Sequence, residues 1–162
     1  QRLEPFFALN DRMTGVAGVA GDPAYPPKEV PLPPVRLGRL GRKLAAGFNE
    51  LGWHWWPSDS AIVTEEYEGR APCINAGICL VGCPQGAKGS SDVTYWPVAQ
   101  RAGVELRTRC RVREITVGAN GMADGVIYYD ENGVERRQKA EVVVVACNGV
   151  GTARPQRRIR CA

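Results

Sequence analysis

Cys73, Cys79 and Cys83 fall within eleven residues, and the last pair reads Cys79-Leu-Val-Gly-Cys83-Pro84. Thiolates at this spacing, carried on a loop with Gly77 and Gly82, suit presentation to iron, and Cys-x3-Cys-Pro is one of the steps by which clusters are ligated. A three-thiolate iron–sulphur cluster is therefore one reading, with Cys73, Cys79 and Cys83 as the metal ligands. Against it, no Cys-x2-Cys step occurs, and Cys110, Cys147 and Cys161 stand singly as sources of a fourth ligand. Zinc asks for four ligands, and the single histidine, His54, lies far from the group along the chain. A disulfide, or small thiols that merely pack, accounts for the same residues without a metal. The residue types alone leave all three alternatives standing.

A second segment with chemical content is Glu141-Val-Val-Val-Val-Ala146-Cys147 followed by Asn148-Gly149-Val150-Gly151-Thr152. The continuous β-branched run predicts a strand buried on both faces. A glycine loop at its carboxyl end is where many nucleotide-binding folds meet a phosphate or a ring, although Gly-x-Gly without a third glycine serves equally as a tight turn. The series Gly15, Gly18 and Gly21 follows no strand pattern and reads as a flexible turn. Hydrolytic catalysis has no support: one histidine and no Gly-x-Ser-x-Gly leave a nucleophile without a base. Trp53, Trp55 and Trp56 flank His54 in a run that reads first as a packed anchor and second as an aromatic platform.

The elements that must position these groups follow from pattern. Six prolines between Pro23 and Pro34 deny that stretch helix and central strand, so residues 1–34 are expected to lie extended over another surface. Leu40, Leu44, Ala45, Phe48 and Leu51 recur at three and four, which predicts an amphipathic helix ended by Gly52. Ser91 or Asp92 is placed to cap a short helix through Pro97 towards Gly103. Alternation predicts strands at residues 104–108 and 112–117, and Glu131-Asn132-Gly133 joins two further strand-like runs as a hairpin.

The whole is a mixed α/β composition. With 162 residues, 44% of them hydrophobic and 23% charged, the chain suits one modest globular core. Its net charge of +4 is spread out except at Arg154, Arg157, Arg158 and Arg160, so no nucleic-acid partner is expected. No apolar run approaches the roughly 20 residues of a membrane span. Six cysteines suit either an exported or a cytoplasmic protein, and the opening Gln1 in place of Met is compatible with a removed upstream region.

Gly69-Arg-Ala-Pro-Cys73, Cys79-Leu-Val-Gly-Cys83-Pro-Gln-Gly-Ala-Lys88, Ser91-Asp-Val-Thr-Tyr-Trp-Pro97 and the run from Glu141 to Arg154 together resemble the middle of a glucose-methanol-choline (GMC) flavoprotein. The resemblance extends to the order of parts: a proline-rich wrapping segment with a helix (residues 1–66), a central part of a doubly wound FAD-binding domain with the cysteine loop and a β-meander (67–152), and an atypical tail (153–162). It implies FAD as cofactor and oxidation of an alcohol or sugar hydroxyl by hydride transfer to the flavin.

The resemblance also implies roles for single residues. Val112 would meet the adenine end through its backbone, and Ala146, Asn148, Gly149, Gly151 and Thr152 would lie near the dinucleotide. Relatives with a similar loop carry a 3Fe-4S cluster, which makes Cys73, Cys79 and Cys83 candidate ligands. The family's first glycine-rich strand and its late catalytic base have no counterpart in the chain, so no catalytic residue is assigned and His54 does not take that role. The 162 residues are accordingly expected to need the remainder of the flavoprotein fold and to be inactive alone. The tail from Ala153 to Ala162 loses the family pattern, which is expected of a truncation or frame shift. Two rival readings accompany this one: a small iron–sulphur electron-transfer module, and a non-functional gene fragment.

Overall fold

A computed structural model describes residues 2–24, 26–149 and 152. Gly151 and the tail from residue 153 onward, with the calls made on them, lie outside the described residues. The described part contains three helices and a three-stranded antiparallel sheet, a mixed α/β arrangement. It divides into two compact units, Gln1–Val104 and Glu105–Ala162.

In the first unit, helix α1 spans Glu4–Thr14. The sequence reading expected an extended segment there. The prolines that forbid helix begin only at Pro23, and Pro5 stands in the first turn of α1, where its missing N–H costs nothing. Gly15 ends the helix in the left-handed conformation, φ 68°, with the N–H groups at its end donated to the carbonyls of Arg12 and Asp11. The Gly15–Gly21 series is then packed, not loose: Val16 and Ala17 are buried, and a side chain at Gly18 would run into Asp59.

Helix α2 spans Arg39–Glu50, as the spacing of its apolar residues predicts. Of that apolar face only Ala45 is buried, while Leu40 and Leu44 are exposed. Helix α3 spans Tyr95–Arg101 with Pro97 in its first turn. Its cap position is Thr94, without a side-chain cap bond, and neither Ser91 nor Asp92 serves. Thr94 instead donates its hydroxyl to the Ser90 carbonyl at 2.9 Å, closing the turn before the helix.

Ala17, Leu32, Val63 and Ala87 form the core of this unit, with Val35, Tyr67, Cys73 and Cys83 packed against it. These residues come from the end of α1, the proline-rich segment, the stretch after the tryptophans and the cysteine loop. Short backbone bridges hold them in place: Ala17 exchanges hydrogen bonds with Ser60 at 2.8 and 2.9 Å, and Gly18 donates to the Leu32 carbonyl at 3.0 Å. Lys28 adds a tie between segments, reaching Asp59 at 2.8 Å and Asp11 at 3.1 Å.

The second unit is a meander of β1 (Arg111–Val117), β2 (Ala123–Tyr129) and β3 (Glu135–Lys139) in the order β1-β2-β3. The Asn-Gly hairpin forms where expected, with Tyr129 opposite Glu135. Asp130 holds the turn by accepting the backbone N–H of Val134 at 2.9 Å and of Asn132 at 3.0 Å. Gly125 is required on β2 because a side chain there would overlap the Gln138 carbonyl of β3.

Two expected strands do not form. Residues 104–108 join no strand ladder. Residues 142–146 likewise have no ladder partners among the described residues, and Val142 and Val144 are 77% and 82% exposed. A strand buried on both faces needs neighbours on each side and cover above and below, and the described residues supply none for this run.

Candidate functional site

The cysteine loop is closed at its base by one residue. Val63, fully buried, accepts the N–H of Cys73 at 2.9 Å and donates its own N–H to the Ala87 carbonyl at 2.9 Å. Cys73 and Ala87 are thereby held on the two sides of Val63, and the intervening residues project as a lobe. Gly86 donates to the Cys83 carbonyl at 3.1 Å and Val81 to the Ile78 carbonyl at 3.1 Å, so the lobe is built of tight turns. Gly77 and Gly82 take φ values of 75° and 132° with open space around them, the backbone freedom these turns require.

Inside the lobe, Cys73, Cys79 and Cys83 all line one hollow of about 20 Å³. Each is a free, half-buried thiol. The Asn75 N–H is donated to the Cys73 sulfur at 3.3 Å. Backbone amides likewise face Cys83: that of Lys88 above all, then those of Gln85, Ala87 and Gly86, hold its thiol below the usual range because they favour the negative charge of the thiolate. Sequence reasoning missed this array; Pro84-Gln85-Gly86 is the turn signal that could have marked the bend.

The residues assigned to a dinucleotide lie in the second unit. Val112 stands on β1 opposite Tyr128, next to an irregularity in pairing between Val112 and Glu114, and is 43% exposed. Because β1 is an edge of the sheet, one side of its backbone is unpaired with any strand among the described residues. Ala146, Asn148 and Gly149 are exposed, and Asn148 takes a left-handed φ of 60°. The Cys147 N–H is donated to the Thr152 hydroxyl at 3.1 Å.

His54 and the tryptophans are structural in what they touch. His54 Nε2 meets Asp22 Oδ1 at 3.1 Å and its ring stacks on Trp56 at 6.0 Å. Trp55 donates to the Asn49 side chain at 2.8 Å, Trp56 to the Val19 carbonyl at 3.2 Å, and Trp53 stacks on Phe48 at 6.0 Å while remaining exposed. These contacts fasten the end of α2 to its own following turn and to the segment after α1.

Helices, a closed cysteine lobe and a β-meander with a free edge make a mixed α/β segment of the kind that forms part of an FAD-binding domain. Residues 36–154 match the family model described as GMC oxidoreductase, and the chain belongs to that family. It is 43% identical over 157 residues to the 2-methyl-1,2-propanediol dehydrogenase of Mycolicibacterium austroafricanum, covering 95% of this chain and 28% of that protein. It is 31% identical over 163 residues to the 6'''-hydroxyparomomycin C oxidase of Streptomyces lividus, covering 93% of this chain and 28% of the relative. To the fructose dehydrogenase large subunit of Gluconobacter japonicus it is 26% identical over 154 residues, again covering 93% and 28%. The chain thus spans about 28% of the length of these curated relatives.

Members of the GMC family generally bind FAD. Of the described residues assigned to it, Val112 lies on an edge strand, Ala146, Asn148 and Gly149 are exposed, and a side chain added at Gly149 would meet nothing within 4 Å, so backbone at these positions is accessible to such a group. An iron–sulphur cluster fits less well. Among the described residues no three His, Cys, Asp or Glu side chains are placed to share a metal ion. Nor is any described helix long and apolar enough to cross a membrane.

Proposed function

We propose that the chain is a segment of an FAD-dependent oxidoreductase that oxidises the hydroxyl of a small alcohol or sugar. The observation that carries this reading is the 43% identity, over nearly the whole chain, to a dehydrogenase whose name specifies a small diol. The other named relatives, a 6'''-hydroxyparomomycin C oxidase and a fructose dehydrogenase large subunit, also bear names of hydroxylated compounds.

When bound, FAD supplies the hydride acceptor. This chain's part is binding and orientation: the edge of β1 at Val112 offers backbone groups to the adenine end, and the exposed residues Ala146, Asn148 and Gly149 offer a surface to the dinucleotide. No base able to take the hydroxyl proton is assigned to these residues, so catalysis belongs to the assembled protein. A three-iron relay on the cysteine loop has in its favour that all three thiols line one hollow. Against it, no three His, Cys, Asp or Glu side chains among the described residues are placed to share a metal ion, and no electron step is routed through the loop.

A segment exchange tests the reading. Residues 1–152 replace the matching segment of the 2-methyl-1,2-propanediol dehydrogenase, and the purified chimera is assayed for bound flavin and for flavin bleaching by the diol. Stoichiometric FAD with diol-dependent bleaching is expected. A folded chimera that carries no flavin would overturn the proposal.

A further inference from the structure

We propose that Arg113 is a positioning residue for the dinucleotide edge: it holds a β-bulge that turns the backbone of Val112 to the free side of the sheet, where the adenine end of FAD would meet it. The adenine role rests on the flavin reading, whereas the direction of the Val112 backbone does not.

That direction follows from the ladder, because successive residues of a strand turn their N–H and C=O groups to opposite sides. Asp130 donates its N–H to the Val134 carbonyl and Ala140 donates to the Asp124 carbonyl, both at 3.0 Å. Val126 and Tyr128, in step with Asp124 and Asp130, therefore turn their backbone towards β3, and Ile127 and Tyr129 turn theirs towards β1. The partners of these last two, Glu114 and Arg111, bond back to β2. Val112, opposite Tyr128, and Ile115, opposite Val126, turn outward. No strand stands on that outer side among the described residues.

Arg113 is the extra residue of the bulge. Tyr128 and Ile127 are consecutive on β2, whereas their partners Val112 and Glu114 are separated by Arg113. If the register of Glu114 and Ile115 ran back without the bulge, Val112 would stand opposite Tyr129 and its N–H and C=O would turn into the sheet. A slip of one residue thus decides whether Val112 faces a ligand or its own neighbour.

The Arg113 side chain fixes the bulged register. Its Nη1 lies 2.6 Å from Glu135 Oε2 on β3, across the central strand, and its Nη2 lies 3.2 Å from Glu114 Oε2. Consecutive side chains of a regular strand point to opposite faces, so the contact with Glu114 belongs to the bulge and is lost when the strand is flattened. Glu114 is only 15% exposed, which shelters that contact from solvent. On the other side of Val112, Arg111 lies over the ring of Tyr129, its ladder partner, at 5.5 Å.

Amide exchange of the full chain, read residue by residue by nitrogen-15 NMR, tests the direction. Val112 should exchange at least about tenfold faster than Arg111 and Glu114, which are bonded to β2. In Arg113→Val the bulge should flatten and the pattern invert, with Val112 slowed and Arg111 quickened by about tenfold. Arg113→Lys, which still reaches Glu135, should keep the parent pattern. Protected amides between β2 and β3 report that each chain is folded, and the milder Glu135→Gln should shift the same two amides in the same directions. A slow Val112 amide in the parent, or the parent pattern in a folded Arg113→Val chain, would overturn the assignment. FAD affinity of the segment-exchange chimera reads the adenine role: it should fall about tenfold with Arg113→Val and be restored by Arg113→Lys. Unchanged affinity alongside an inverted exchange pattern would remove the adenine role. A parent chimera without flavin would refute the flavin reading, and exchange in the chain itself judges the register independently.

Discussion

The guanidinium of Arg70 donates from Nη2 to the carbonyl of Thr14 at 2.8 Å, joining positions 56 residues apart. Both residues are more than nine-tenths buried. The bond ties the residue three places before Cys73 to the carboxyl end of α1, where a helix leaves carbonyls unsatisfied and carries partial negative charge. Arg70 lies over the Tyr67 ring at 6.0 Å, and burial holds its pKa below the ordinary arginine value. Its Nη1 has no hydrogen-bond partner among the described residues.

Arg70→Met should therefore lower stability by about 1.5–3 kcal/mol, the usual worth of a hydrogen bond to a charged group, reduced towards the lower end by the unpartnered Nη1. Thermal unfolding of the two chains side by side measures it, and an unchanged midpoint would refute the role given to this bond.

The same carbonyl faces Gly89. A methyl group there would lie 2.5 Å from the Thr14 oxygen, and that oxygen is backbone and cannot swing aside. Gly89→Ala is expected to destabilise by about 1–3 kcal/mol through overpacking. Since both substitutions act on Thr14, the double variant should cost less than the sum of the singles, and strict additivity in a double-mutant cycle would disconnect them.

Cys83 should alkylate with a pH midpoint below the roughly 8.5 of an unperturbed thiol. The amide of Lys88, with those of Gln85, Ala87 and Gly86, favours its thiolate in the folded chain. The sign follows: the stabilisation is complete above the unfolded thiol's pKa and is lost as pH falls through the lowered folded value. Iodoacetamide rates against pH, read on this residue by mass, give the midpoint, and a value at or above 8.5 would remove the amide array from the account.

The hairpin between β2 and β3 should loosen in acid. The Asp130 carboxylate accepts from the Val134 amide first, from the Arg136 side chain at 3.1 Å and from the Asn132 amide, and its pKa is held below the ordinary carboxyl value. Stability from this group is present above the unfolded value near 4 and is lost as pH falls through the lowered one. Hydrogen exchange at the Val134 amide should accelerate over that window in the parent chain and be fast throughout in Asp130→Ala. Identical exchange in both chains would show that the carboxylate does not hold the turn.

Several parts of this protein were legible in the residues themselves. Helix α2 came from the spacing of Leu40, Leu44, Ala45 and Phe48, and the hairpin from Asp130 to Val134, because both depend on groups a few positions apart. The cysteine spacing and its neighbours pointed to the GMC family, to which the chain belongs. Helix α1 was hidden by prolines that lie beyond it, and its Phe6 and Phe7 remain exposed, so no apolar stripe announced it. The run at residues 142–146 carries the composition of a buried strand, yet composition sets only a tendency, and pairing needs neighbours.

What the sequence by itself determined was local conformation and family: turn chemistry, helical period and the thiols' place along the chain, all governed by interactions over a few bonds. Only the tertiary structure decided that Val63 closes the cysteine lobe and that Arg70 caps α1. Those contacts join segments up to 56 positions apart, and such distances are closed by burial of a shared core, not by any preference written in a single stretch of residues.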